Sequence, residues 1–342
     1  NQERVGLDYK ELPNDVEPGV ILMLDDGRIV LNVSKVKGNQ IYCTVEQGGI
    51  LSNNKGINRK GGGLSAPALT TKDMEDIKTA AEFKADYLAV SFPRSGQDMA
   101  IARDLMNQAG GKSLLMAKIE RKEAIVALDD ILKASDAIMV ARGDLSVEVG
   151  DAAVPALQKR MIRAARTNNK IVITATQMME SMNASQIPTR AEVSDVANAV
   201  LDGTDAVMLS SESATGQYPV ETVEAMARVC IESEKEYQGS LELRRIQSGM
   251  PDTIEEAITR ATMFTAGSLK IAAIAALTQS GFTAMLMSRK SSNVPIFALS
   301  PQLDTRRKVT LFRGVYPINF NGKFQDPEII LNSAENELLK RG

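Results

Sequence analysis

The sequence predicts an α/β chain: a run of parallel strand–helix units, a small antiparallel β module before it and a second α/β segment after it. Three observations carry this. Residues 113–144 contain two apolar runs, Leu114–Ile119 and Ala137–Ala141, each followed by a carboxylate, with one amphipathic helical stretch between them. Short β-rich runs then recur at about the spacing of one βα unit. Residues 1–63 instead alternate polar and apolar residues, the period of half-buried strands.

In chain order, Val20–Leu24, Arg28–Val36 and Gln40–Val45 read as strands. Asp26-Gly27 and Lys37-Gly38-Asn39 supply the turns between them. Residues 52–58 are polar and turn-rich, and Gly61-Gly62-Gly63 reads as a hinge. From residue 64 the strands are Tyr87–Phe92, Leu114–Ile119, Ala137–Ala141, Ile171–Thr176 and Ala206–Leu209. The helices are Thr71–Phe83, Gln97–Ala109, Lys122–Ala134, Pro155–Thr167, a stretch from Thr189 to about Leu201, and Pro219–Lys235. Thr70 with Asp73, and Thr189 with Glu192, have the spacing of capping boxes. Five such strands favour a (β/α) barrel over a doubly wound sheet, a choice the period alone does not decide. Residues 236–252 read as a linker. Beyond it, Ile254–Gly267 is a helix, and Ile271–Leu277, Pro295–Leu299 and Gly314–Ile318 are strands.

Composition narrows the chemistry. Net charge is −3 and no run of like charge stands out, so neither nucleic acid nor an acidic membrane surface is indicated. No apolar stretch reaches the roughly 18 residues of a membrane span. Cys43 and Cys230 lie far apart and suit a reducing cytoplasm. The chain has no histidine, which removes a serine–histidine triad, a histidine base and phosphohistidine. Carboxylates, lysine, hydroxyls, backbone amides and metal remain.

A right-handed parallel crossover brings the ends of Leu114–Ile119 and Ala137–Ala141 to one rim, and with them Glu120 and Asp144. The pair reads either as ligands for a divalent metal such as Mg²⁺ or as a helix cap plus a surface charge. Gly143 beside Asp144 lets the backbone approach a ligand closely. Lys118 shares a strand face with Glu120; it is either an ammonium beside the metal or a lysine snorkelling out at a strand end. Thr174, Thr176, Ser210, Ser211 and Glu212 add polar groups at the ends of the next two strands. Thr278-Gln279-Ser280-Gly281 is either a phosphate-holding turn or an ordinary helix cap.

Several longer stretches carry a specific likeness: MAKIER (116–121), IMVARGDL (138–145), VITATQMMESM (172–182), residues 188–219 and NNKGIN (53–58). In this order they resemble pyruvate kinase, over essentially the whole chain, and most closely the bacterial form activated by AMP or sugar phosphates. The resemblance implies a partial TIM (β/α)8 barrel with an inserted small β-barrel domain and a C-terminal α/β domain. The divisions are 1–63 for the β-barrel, 64–238 for barrel strands 4 to 8 and 239–342 for the regulatory domain. It implies phosphoryl transfer from phosphoenolpyruvate to ADP, giving pyruvate and ATP, with Mg²⁺ and K⁺, in a cytoplasmic homotetramer.

By the same resemblance Glu120 and Asp144 bind Mg²⁺, and Lys118 stabilises the phosphoryl group and enolate. Gly143, Asp144 and Thr176 hold the substrate carboxylate, while Thr176 and Ser210 serve the protonation of enolpyruvate. Lys55 meets the nucleotide, and Asp25 or Asp26 helps the nucleotide-bound metal. The family has three further barrel strands, which carry most K⁺ ligands, so this chain is expected to be part of a longer active protein. Ser146 and Ser211 stand where the family has glycine, and Phe282 where an effector-loop arginine is common. Two other readings compete: a degenerate non-catalytic homologue, and a metal-dependent lyase that forms pyruvate enolate on the same rim.

Overall fold

The computed structural model describes residues 4–25, 27–236, 251, 253–290, 294–321 and 326–341. The chain divides into two units, 1–161 and 162–342.

The first unit holds two sheets. In the first, β1 (Ile21–Leu24), β2 (Ile29–Lys37), β3 (Gln40–Gln47) and β4 (Ile57–Arg59) are antiparallel in the order β3-β2-β1-β4. The alternation read from the sequence is realised as burial: Leu22, Leu24, Ile29 and Val33 face inward, together with Leu12 and Val16. Leu12 lies on a short helix, α1 (Leu12–Asp15). The polar stretch 52–58 is not all turn, because Ile57–Arg59 pairs with β1. Three residues are too few to show alternation, so pairing and not pattern makes this strand.

The second sheet is parallel: β5 (Tyr87–Val90), β6 (Leu114–Ile119) and β7 (Ala137–Ala141). Lys118 of β6 lies opposite Met139 of β7. Every residue of β7 is buried, which fits an unbroken apolar run in a covered parallel strand. The helices of this unit are α2 (Thr71–Glu82), α3 (Gly96–Gln108), α4 (Lys122–Val126), α5 (Leu128–Ala134), α6 (Arg142–Val149) and the start of α7 (Val154–Thr167). The Thr70–Asp73 capping box opens α2 as expected. The helix expected over 122–134 is two helices, broken at Ala127, whose backbone leaves the helical region at φ −89°, ψ 16°.

The second unit contains parallel strands β8 (Ile171–Ala175) and β9 (Ala206–Met208). It also holds a three-stranded parallel sheet of β10 (Ile274–Leu277), β11 (Ile296–Ser300) and β12 (Val315–Asn319). Its helices are α8 (Arg190–Asp202), α9 (Ser211–Ala214), α10 (Pro219–Glu236), α11 (Ile254–Ser268), α12 (Phe282–Arg289), α13 (Leu303–Lys308) and α14 (Pro327–Leu339). The Thr189–Glu192 capping box opens α8. A buried ion pair, Asp205 with Arg289, ties the turn before β9 to α12. Asp205 also accepts the N–H groups of Val172 (2.9 Å) and Arg313 (3.1 Å).

Candidate active site

The site in the first unit is assembled from the ends of three parallel strands. Glu120 follows β6 and is fully buried. Its Oε1 lies 2.6 Å from the Lys118 ammonium and has no well-aligned hydrogen bond among the described residues. Its Oε2 accepts the Phe92 N–H at 2.8 Å. Lys118 Nζ also donates to Ser91 Oγ at 3.2 Å. Lys118 and Glu120, two residues apart on an extended segment, therefore face the same way, as a period of two requires.

Phe92 lies just past β5 with φ +54°. It precedes Pro93, which disfavours the right-handed helical region for it. A left-handed phenylalanine costs about 1–3 kcal/mol, and here that conformation accompanies the N–H contact to Glu120. The Phe92 ring also lies 5.7 Å from the Arg121 guanidinium, within the range of a cation–π contact.

After β7 the chain passes directly into α6, with no intervening loop. Arg142, Gly143 and Asp144 form the first helical turn, where N–H groups project toward an approaching anion. Burial pushes the Glu120 carboxyl above its ordinary value; Lys118 pulls it down, Asp144 pushes it up and the Phe92 N–H pulls it down. The repulsion from Asp144 places both acids in one electrostatic field. Asp144 and Arg121 line a cleft of about 620 Å³ together with Ser91, Phe92 and residues 56–58.

This donor set fits a Mg²⁺ ion held by two carboxylates. Glu120 Oε1 is buried beside a single ammonium, and a cation would relieve the repulsion between the acids. No cluster of three or more acidic, cysteine or histidine ligands exists among the described residues. Two protein carboxylates with the remaining positions filled by water and substrate oxygens is a usual Mg²⁺ arrangement.

Lys55 forms an ion pair with Asp25 at 2.7 Å. The Lys55 hydrogen bond is the main reason the Asp25 carboxyl titrates below its ordinary value. Asp26 lies outside the described residues.

Thr176 and Ser210 belong to the second unit. Thr176 falls one residue past β8 with φ +64°, followed by Gln177 at φ +55°, and its Oγ1 donates to the Ala175 carbonyl at 2.7 Å. Thr174, by contrast, is fully buried and bonded to Thr204 at 3.1 Å. Ser210 precedes α9. Its N–H donates to Glu212 Oε2 at 2.9 Å, while Glu212 Oε1 accepts the Met179 N–H at 3.2 Å. Buried Glu212 thus joins the segments after β8 and β9 and is occupied by backbone donors.

Sequence reasoning missed Ser91, Phe92 and Arg121 at the first site. Ser91 was visible as a polar residue ending an apolar run; Phe92 and Arg121 carried no comparable signal.

The barrel-domain model of pyruvate kinase matches residues 1–223, and its alpha/beta-domain model matches residues 256–342. The chain belongs to the pyruvate kinase family. It is 55% identical to "Pyruvate kinase" of Buchnera aphidicola subsp. Acyrthosiphon pisum, and 54% identical to "Pyruvate kinase II" of Salmonella typhimurium. Each alignment covers 100% of this chain and 72% of the relative. It is 53% identical to "Pyruvate kinase" of Haemophilus influenzae, with the same coverage. Ser146 turns its hydroxyl back onto the Gly143 carbonyl at 2.7 Å, inside the first turns of α6.

Proposed function

We propose that Lys118, Glu120 and Asp144 carry the reaction of this pyruvate kinase, phosphoryl transfer from phosphoenolpyruvate to ADP giving pyruvate and ATP. The observation behind these roles is the Lys118 ammonium held 2.6 Å from a fully buried Glu120, whose carboxyl also feels Asp144. Phosphoryl transfer asks for positioning and charge neutralisation, which a chain without histidine can supply.

Glu120 and Asp144 would hold the Mg²⁺, which when bound neutralises charge on the substrate's phosphoryl and enolate oxygens. Lys118 places a fixed positive charge where the phosphoryl group leaves one oxygen for another. The amides of Gly143 and Asp144 and the Thr176 hydroxyl orient the substrate carboxylate. Thr176 and Ser210 lead the proton to the enolpyruvate carbon. Lys55 meets the nucleotide phosphates, with Asp25 holding its ammonium in place. The family also uses K⁺.

The finer reading extends the family's architecture to this chain: a small β-barrel over 1–63, strands 4 to 8 of an eight-stranded barrel over 64–238, and a regulatory α/β domain over 239–342. It includes a cytoplasmic homotetramer responsive to AMP or a sugar phosphate. At the turn before α12, Thr278 Oγ1 accepts the Gly281 N–H at 2.9 Å, which orders the turn, and Phe282 brings no charge.

The experiment is an assay of pyruvate released from phosphoenolpyruvate with Mg²⁺, with and without ADP. Strict ADP dependence with equimolar ATP is expected. Pyruvate formed from another precursor without ADP would favour a lyase instead.

A further inference from the structure

The mechanism leaves two carboxylates unused, Glu123 on α4 and Glu148 on α6. Each follows a catalytic strand end by a few residues, and both turn toward the glycines at 61–63. Glu123 Oε1 accepts the Gly63 N–H at 3.1 Å. Glu148 Oε2 accepts the Lys122 N–H at 2.8 Å. A Cβ placed on Gly62 would lie 3.3 Å from Glu123 Oε1 and 3.3 Å from Glu148 Oε2. Gly62 also has φ +80°, so it both needs glycine's conformational range and leaves room for two acids. Arg121 Nη1 donates to the Leu64 carbonyl at 3.3 Å, on the other side of the hinge.

We propose that Glu123 and Glu148 are positioning residues that clamp the 61–63 hinge, and through it the Lys55-bearing sheet, to the helices following Glu120 and Asp144. The β4 strand ends two residues before Gly61, so fixing the hinge fixes the sheet's last strand. The nucleotide-side consequence rests on the reading of Lys55 given above.

The clamp is protonation-linked. Glu148 is 6% exposed, and burial pushes its carboxyl above the ordinary value. The Lys122 N–H opposes this, Glu123 adds to it, Arg121 opposes it and Asp144 adds to it. Lys60 and Asp151 line a second, separate cleft together with Gly61 and Glu148, and Arg59 Nη1 lies beside Gly63. Glu123 Oε2 is buried with no hydrogen-bond donor among the described residues. Glu148 takes up a proton more readily than an ordinary carboxyl, and in its protonated form it can stay close to Glu123. As pH rises through the raised value, that proton leaves and the like charges push the hinge open.

The test is hydrogen exchange of the 61–64 amides in the full-length enzyme, read as protection factors, alongside steady-state kinetics. Glu123→Ala is expected to lower Gly63 protection at least tenfold and to raise KM for ADP at least fivefold, with KM for phosphoenolpyruvate within twofold. Glu123→Gln, which keeps an acceptor oxygen, restores protection. Glu148→Gln, neutral at every pH, removes the loss of hinge protection that the unsubstituted enzyme shows on raising pH. Unchanged Gly63 protection in Glu123→Ala overturns the proposal, as does a parallel rise in both KM values. If Glu123→Ala does not fold, Glu148→Gln decides: an unaltered pH dependence of protection overturns it. The exchange arm reads the clamp whether or not the substrate assignment holds.

Discussion

Replacing Lys118 by Met separates the electrostatic role of the ammonium from its packing. The side chain keeps its length and apolar stem, while Glu120 loses the counter-charge 2.6 Å away. Breaking a fully buried pair costs about 3–5 kcal/mol. Here the cost lies at or below about 3 kcal/mol, because the Lys118 side chain is 26% exposed and Glu120, already biased toward its protonated form, can take up a proton. For a unit of this size, about 2–4 °C of melting temperature is lost per kcal/mol. Catalysis suffers separately, since losing one preorganised electrostatic contact at a transition state lowers kcat about 10²–10³-fold. With Lys118 gone the Glu120 carboxyl titrates higher still, so the acid limb of kcat/KM moves to higher pH. ADP-dependent pyruvate formation from pH 5 to 8, beside Mg²⁺ titration, measures both effects. A kcat within threefold of the original refutes the charge-stabilising role. A fall in kcat matched by an equal fall in Mg²⁺ affinity shows that Lys118 only arranges the acids.

Three other substitutions probe the frame. Glu192 titrates below its ordinary value: burial would raise it, but the Ser181 and Thr189 hydrogen bonds outweigh that. Its stabilisation is therefore present above the unfolded carboxyl pKa and lost as pH falls through the folded value; Glu192→Ala should cost about 1–2 kcal/mol in urea unfolding at pH 7 and much less at pH 3. Asp205→Ala strands the buried Arg289 guanidinium and two backbone donors, and should destabilise the second unit by about 3–5 kcal/mol, measured by denaturant midpoint. Ser146→Gly removes the hydroxyl bonded to the Gly143 carbonyl, and should lower stability by about 0.5–1 kcal/mol with turnover unchanged within twofold; a tenfold gain in turnover would mark the serine as a catalytic lesion.

The parallel strands were legible wherever apolar runs were long and uniform. Leu114–Ile119 and Ala137–Ala141 occur with the expected bounds, because strands that are mostly or wholly buried leave a continuous apolar signal. Capping boxes at Thr70 and Thr189 were equally plain, since their chemistry is local. Residues 57–59 form a strand through a partner more than 30 residues earlier, and no short-range pattern marks such pairing. The break at Ala127 has neither glycine nor proline to announce it. At the site, Lys118, Glu120 and Asp144 stood out as charges ending apolar runs. Neither Glu123 nor Glu148 was singled out in the sequence, where no helix was expected over 142–149, and only the fold brings them to Gly62.

The direct passage from β7 into α6 has an evolutionary corollary. With Ala141 the last strand residue and Arg142 the first helical one, no slack exists to absorb a length change. One inserted residue would turn each following side chain by about 100° around the helix axis, swinging Asp144 off the rim. Descendants of this sequence can explore new amino acids across that junction, but not new lengths.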